Sequence, residues 1–318
     1  MNEKRKIVLV GCGFVGMSMA YSFLNTGGID ELVLIDVDQE KAIGEAMDLQ
    51  HGLPYARGKM SIKAGGYEEC RDAAVVVITA GVTQKPTETR LDLTARDTVI
   101  MKSVTEQIMA SGFDGILVIA SNPVDAMTYV AQKVSGLPTE RVIGSGTILD
   151  TARLRCGLSE HFKVAQKNIH AYVFGEHGDT SFIPWTGAYI SGVSLDEYYE
   201  LAKNLGKDVE ELDKDEMLTY VQKSGGKVIA NKGATFYAVS AAVCKLCGIL
   251  LASSDSIATV SSMMHGEYGI EDVCVSTLTL VGPNGIQGKV PMRMNKEEIA
   301  KLQASANALK EVIKQIEL

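Results

Sequence analysis

The 318-residue chain lacks an excess of positive charge: 31 Lys and Arg stand against 39 Asp and Glu, for a formal net charge of −8. That balance argues against a nucleic-acid binder, whose contact face is basic. It also means that an anionic ligand has to be held by a few local cations and by helix N-termini. No apolar run reaches the length needed to cross a bilayer. The six cysteines, at positions 12, 70, 156, 244, 247 and 274, do not form the spaced framework of a secreted disulfide protein. Residues 1–6 are polar and lead straight into a strand-like run, with no room for a signal peptide. A reduced, cytoplasmic setting is therefore expected. Internal repeats and low-complexity linkers are missing too. Cys244 and Cys247 have the spacing of a redox or zinc pair, but there is no second pair. They sit in the apolar run 241–251, where helical residues three apart share a face, so buried packing is the reading that fits.

What remains is an ordinary globular composition, 46% hydrophobic and 22% charged, long enough for two domains. The segments 6–10, 31–36, 74–80 and 115–121 are rich in Val, Ile and Leu without polar alternation, as parallel strands covered on both faces are. Between them, 15–25, 39–51, 91–111 and 124–135 have helical period. Strands alternating with helices predict a doubly wound α/β (Rossmann) parallel sheet, completed by a strand at 141–144. The regularity changes near residue 147. A helix over 148–158 precedes an extended run at 167–174, a solvated charged segment at 203–216, antiparallel strands at 273–281 and 286–290 around the turn 282–285, and an amphipathic C-terminal helix from 296 to 318. The expected division is a dinucleotide-binding domain over 1–146 and a mixed α+β substrate domain over 147–318.

The first candidate site is Gly11-Cys12-Gly13-Phe14-Val15-Gly16, placed between a strand and a helix. Glycines at these spacings permit a tight turn and let backbone N–H groups approach a pyrophosphate at the helix start. Asp36 ends the second strand twenty residues beyond Gly16, where a carboxylate accepts hydrogen bonds from ribose hydroxyls. A 2′-phosphate would meet like charge there, and Val37 supplies no cation. NAD is favoured over NADP.

The second site joins Asp150 and Arg153, three apart on one helix face, to His177 in the Gly-flanked turn Gly175-Glu176-His177-Gly178-Asp179. Alone, each has a plain alternative: a helix cap, a surface ion pair, a loop histidine. Together, behind a dinucleotide fold, they offer a proton donor near neutral pH, a carboxylate that favours the imidazolium, and a planar fork for a carboxylate substrate.

Several segments in one order extend the pattern over the whole chain: the glycine turn, Thr79-Ala80-Gly81, Ser121-Asn122-Pro123-Val124-Asp125, Leu149 to Arg153, and Gly175 to Asp179. On these the chain resembles the L-lactate and malate dehydrogenase family. The resemblance implies that His177 is the acid/base, Asp150 its orienting partner and Arg153 the clamp on the substrate carboxylate. It also implies that Asn122 contacts substrate near the nicotinamide and that Thr235 lines the substrate pocket. Gly81 to Arg90 is similar to the family's lid, with Val82 and Gly81 beside the cofactor and Arg90 closing on the substrate carbonyl. Lys41 and Tyr67 match positions near the adenosine. Val15 and Ser145 align with cofactor contacts, and for these two packing is an equal alternative.

Gln84 matches the position facing the substrate's variable end, where malate dehydrogenases place arginine. A second substrate carboxylate opposite a neutral amide would be buried unpaired, at a cost on the order of several kcal/mol. The expected substrate pair is therefore pyruvate and L-lactate, not oxaloacetate and malate, with Lys85 a flexible amine next in sequence. Arg155 lies about 200° around the helix from Arg153 and faces elsewhere. His170, an odd spacing before His177, points opposite to it on a continuous strand. The pair resembles the effector site of bacterial members activated by fructose 1,6-bisphosphate, in which cations from two subunits meet, and so implies a homotetramer. Ser181 stands where the family often has Glu, which leaves the affinity of that site open. A non-catalytic NADH-binding protein on the same scaffold is the reading of another class.

Overall fold

The computed structural model describes residues 5–81 and 90–316, of which 90–93 are described by backbone alone. β1 (Lys6–Val10), β2 (Glu31–Ile35), β4 (Val75–Ile78) and β5 (Ile116–Ile119) are buried at every position. This is why, after Lys6 and Glu31 at the starts of β1 and β2, their sequences are unbroken apolar runs: helices cover both faces of the sheet. α1 (Phe14–Thr26), α2 (Gln39–Gly52), α3 (Arg90–Ala110) and α4 (Val124–Ser135) fall within a residue or two of the sequence expectation. β3 (Ser61–Ala64) and β6 (Val142–Gly144) complete the parallel set. Its order, β3-β2-β1-β4-β5-β6, reverses direction at the β1/β4 boundary, and such a sheet binds ligands in the crevice outside that point.

The sheet does not end at β6, as the sequence had suggested. β10 (Ser256–His265) pairs antiparallel with β6 through Ser261 and Gly144. β11 (Glu271–Gly282) and β12 (Gly285–Lys289) follow, making, among the described residues, nine strands that run through both halves of the chain. β10 carries no clear apolar pattern because hydroxyls take three of its six buried positions: Thr259, Ser261 and Ser262 are buried beside Val260, Met263 and Met264. Each hydroxyl is satisfied, by Thr151, Asp125 and Lys289 respectively. Periodicity of apolar residues cannot reveal such a strand. β3 was missed because it is a four-residue edge strand of mixed burial.

Beyond β6 come α5 (Ile148–Phe162), β7 (Ile169–His170), β8 (Tyr189–Ile190), β9 (Val193–Ser194), α6 (Leu195–Asn204), α7 (Lys214–Lys232), α8 (Tyr237–Leu250) and α9 (Lys296–Ile313). The run 167–174 is not one strand. Only Ile169 and His170 pair with β8, while the Val173 backbone N–H donates to Thr151 Oγ1 and its carbonyl accepts from Thr147 Oγ1. At Val173 the threonines at the start of α5 thus take the place of a ladder, and Phe174 bridges to Phe182. Apolar clusters fill both faces of the sheet: α1, α2 and α8 cover one, α3 and α4 the other. Cys247 is buried in the first of these, with Cys244 packed against it. Burial pushes the Cys244 thiol up to about 12 and that of Cys247 well above its ordinary value. The packing reading of this pair holds. Among the described residues no helix is long and apolar enough to cross a membrane.

Candidate active site

At the end of β1 the chain turns through Gly11, whose φ of +108° suits glycine. A Cβ on Gly11 would lie 2.9 Å from the Ala80 nitrogen, and one on Gly16 2.0 Å from the Gly11 carbonyl oxygen. These two glycines let the turn, α1 and the end of β4 close on one another. Gly13 is different, since a Cβ there meets nothing within 4 Å. It is also the N-cap of α1, which has no side-chain cap and no acid in its first turn. A helix start of this kind, uncapped beside open space, is an anion cradle.

Asp36 leaves β2 toward this turn. Its Oδ2 accepts the Cys12 N–H at 2.6 Å and its Oδ1 the Asp38 N–H at 2.9 Å. A carboxylate has roughly four acceptor positions, so lone pairs remain for hydroxyls. Tyr67 is half-buried; burial raises its phenol above the ordinary value and the Asp36 charge adds to the rise. Lys41 is exposed in the first turn of α2, its N–H donating to Asp38 Oδ1 at 3.1 Å. Gly81 faces α3, where an added Cβ would lie 3.3 Å from Asp97 Oδ1. Val15 packs against the core and its carbonyl accepts the Ser240 hydroxyl at 2.8 Å. Ser145 sits at the end of β6 with its N–H on the Ile119 carbonyl, 2.8 Å away. The uncapped amides, the clear space at Gly13 and the carboxylate at the end of β2 fit NAD.

The second cluster is built from α5 and the turn after Phe174. Asp150 and Arg153 occupy the first turns of α5, and Arg153 Nη1 donates to Asp150 Oδ1 at 2.9 Å. His177 Nδ1 lies 2.6 Å from Asp150 Oδ2. A carboxylate only accepts, so Nδ1 carries a proton and Nε2 is left to exchange one. Burial alone would push the Asp150 carboxyl up, but the His177 hydrogen bond and charge, with Arg153, bring it below its usual range. Burial alone would likewise lower His177, yet the hydrogen bond and charge of Asp150, helped by Asp125, raise it above the usual value. The Asp150 side chain is 8% exposed and that of His177 28%, so the carboxylate is sealed while the ring keeps an open edge.

The turn itself is pinned at three points. Gly175 bridges to Ser276 on β11, the Glu176 N–H donates to Ser305 Oγ on α9 at 2.8 Å, and the His177 N–H donates to Asp125 Oδ2 at 2.7 Å. Asp125 was legible as part of a motif, three residues after Asn122, but no role attached to it. The role of Ser261, which donates to its other oxygen, left no signal in the sequence.

Asn122 is exposed at the end of β5, just before α4. Arg153 also faces Gly225 of α7, where an added Cβ would be 3.4 Å from its Nη2. Thr235 is half-buried in the loop 233–236, whose Phe236 stacks on Phe14 with ring centroids 5.2 Å apart. That stack ties this loop to the glycine turn. Val82, Gln84, Lys85 and the Arg90 side chain lie outside the described residues.

Arg155 and Arg153 have separate partners, as the helical angle requires. Arg155 Nε donates to the Ala171 carbonyl at 3.2 Å and its guanidinium carbon lies 4.9 Å from the centre of the Tyr172 ring. His170, next to Ala171, is exposed on β7. Ser181 is buried, its carbonyl accepting Gln222 Nε2 of α7 at 3.0 Å.

Residues 5–144 match the NAD-binding domain of lactate/malate dehydrogenase, and residues 147–318 match the α/β C-terminal domain of the same family. The chain belongs to the lactate/malate dehydrogenase family. NAD is the cofactor of its N-terminal half, and the enzyme class is NAD-dependent oxidoreductase. An L-lactate dehydrogenase of Acetivibrio thermocellus is 44% identical over 314 residues, 99% of this chain and 98% of that protein. One from Bacillus velezensis is 45% identical over 314 residues, 98% of each. Among solved structures, the minor L-lactate dehydrogenase of Enterococcus mundtii in its ligands-bound form superposes with a TM-score of 0.94 at 40% identity, covering 99% of both chains.

Proposed function

We propose that the chain is an L-lactate dehydrogenase, interconverting pyruvate and (S)-lactate with NADH and NAD+. The observation that carries this is the contact of one sealed carboxylate, Asp150, with both His177 and Arg153. When bound, the reduced nicotinamide supplies the hydride. Arg153 grips the substrate carboxylate with its planar fork. His177 delivers a proton from Nε2 to the carbonyl oxygen, and Asp150 holds the ring and favours its charged form. Arg90 polarises the same carbonyl as the lid closes, Asn122 and Thr235 complete the pocket, and Gln84 sets the preference for a methyl over a second carboxylate. Gly11, Gly13, Val15, Gly16, Asp36, Lys41, Tyr67, Gly81, Val82 and Ser145 form the cofactor side. The working division is 1–146 and 147–318.

The proposal includes a homotetramer in a reducing, cytoplasmic setting. Arg155 and His170 of facing subunits repel until fructose 1,6-bisphosphate bridges them; the separate placement of Arg155 from Arg153 supports this.

One assay separates the parts. NADH oxidation is followed with pyruvate and with oxaloacetate, each with and without fructose 1,6-bisphosphate. We expect higher kcat/KM for pyruvate, and a lower pyruvate KM with larger sedimentation coefficient when the bisphosphate is added. Comparable values for the two acids overturn the specificity. An unchanged KM and sedimentation coefficient overturn the effector site. No oxidation with either acid points to a binding protein.

A further inference from the structure

His177 stands between two carboxylates. Asp150 meets its ring, and Asp125 meets its main chain. Asp125 lies in the first turn of α4, three residues after Asn122, and is 2% exposed. Its Oδ2 accepts the His177 N–H at 2.7 Å and its Oδ1 the Ser261 hydroxyl of β10 at 2.5 Å. One side chain therefore joins α4, the histidine turn and the strand that extends the parallel sheet into the second half.

A buried carboxylate whose two hydrogen-bond donors are a hydroxyl and a main-chain N–H is costly to keep ionised, the His177 charge offsetting only part of its burial. An amide of the same shape would serve the architecture equally well, with its oxygen on the His177 N–H and its NH₂ on Ser261 Oγ. We propose that Asp125 is a positioning residue for proton transfer: it sets the height of His177 through the main chain and, by its charge, helps His177 hold its proton. This rests on the reading of His177 as the acid/base.

The groups facing this carboxylate are few. His177 and Glu176 act on it from the turn, Ser261 from β10 and Cys274 from β11; Asp150 and Arg153 reach it through His177. Burial raises the Asp125 carboxyl to about 6, against the pull of Ser261 and His177. A folded-state value above the ordinary one means that this group favours folding below its unfolded pKa and loses that contribution as pH rises through about 6. At pH 8 the native protein thus carries an ionised group that folding alone would discard.

The test is Asp125→Asn, read by melting temperature and by the pH dependence of pyruvate reduction. The expected variant melts at or above the parent at pH 8, with the gap closing as pH falls through about 6. Its NADH affinity stays within about twofold, and its kcat/KM limb lies at lower pH. We expect roughly a threefold to tenfold loss at pH 8 and less than about twofold at pH 5.5, a tenfold loss corresponding to one pKa unit. A second variant, Ser261→Ala, removes a donor to the same carboxylate and should move the limb in the same direction by less. It keeps the test alive if Asp125→Asn does not fold. Limbs that superpose on the parent's, or a loss uniform across pH, overturn the proposal. His177→Asn is the separate control for the reading beneath it: full turnover in that variant removes the acid/base reading itself, whatever Asp125→Asn does.

Discussion

The two clusters of the candidate site are built by different means. On the side of β1 and β2 the work falls to main chain: an uncapped helix start, two glycines that allow close approach, a third that leaves room, and one carboxylate at a strand end. On the side of α5 it falls to side-chain charges, with Asp150 in contact with both Arg153 and His177. In the proposed function the first half recognises a cofactor common to many enzymes and needs little beyond geometry. The second would move a proton and grip a specific acid, which requires ionisable groups whose pKa values are set by burial and by one another.

If that contrast is right, damage to the second half costs turnover and damage to the first costs affinity. Asp150→Asn should have the largest effect, lowering kcat on the order of 10² to 10⁴-fold while NADH affinity is preserved. Steady-state kinetics beside NADH titration decide it, and a fall in affinity with kcat intact would reverse the assignment. Gly13→Ala is the counterpart. Among the described residues its Cβ meets nothing within 4 Å beyond its chain neighbours, so the melting temperature should hold while NADH binding weakens about tenfold or more. Unchanged NADH affinity would place the pyrophosphate elsewhere. The mildest effect is that of pH. Asp150 raises His177, so kcat/KM for pyruvate should fall as pH climbs through that raised value, and kcat/KM for lactate should climb over the same range. Parallel profiles in the two directions would exclude a single acid/base.

The same contrast explains what the sequence disclosed. The parallel half was legible almost strand by strand, because a sheet buried on both faces demands uninterrupted Val, Ile and Leu. The glycine turn and Asp36 were legible because backbone geometry fixes their spacing. Asp150 and Arg153 were legible as a pair, since helical periodicity puts them together. Three-dimensional convergence was not. β10 hides behind buried serines and threonines, each satisfied by a partner on another element, two of them more than a hundred residues away. Asp125 reaches His177 across 52 residues. The extended run before the turn is held by Thr147, the N-cap of α5, and by Thr151 within it, which no local pattern anticipates.

In the proposed reaction the imidazole of His177 is the proton source for reduction of the keto acid. Replacing it with asparagine and measuring both NADH binding and pyruvate-dependent NADH oxidation on the same protein tests this most directly. NADH affinity should stay within about twofold of the parent and turnover should fall on the order of 10² to 10⁴-fold, with no recovery at any pH between 5 and 9. Parent-level turnover with NADH still bound would contradict it.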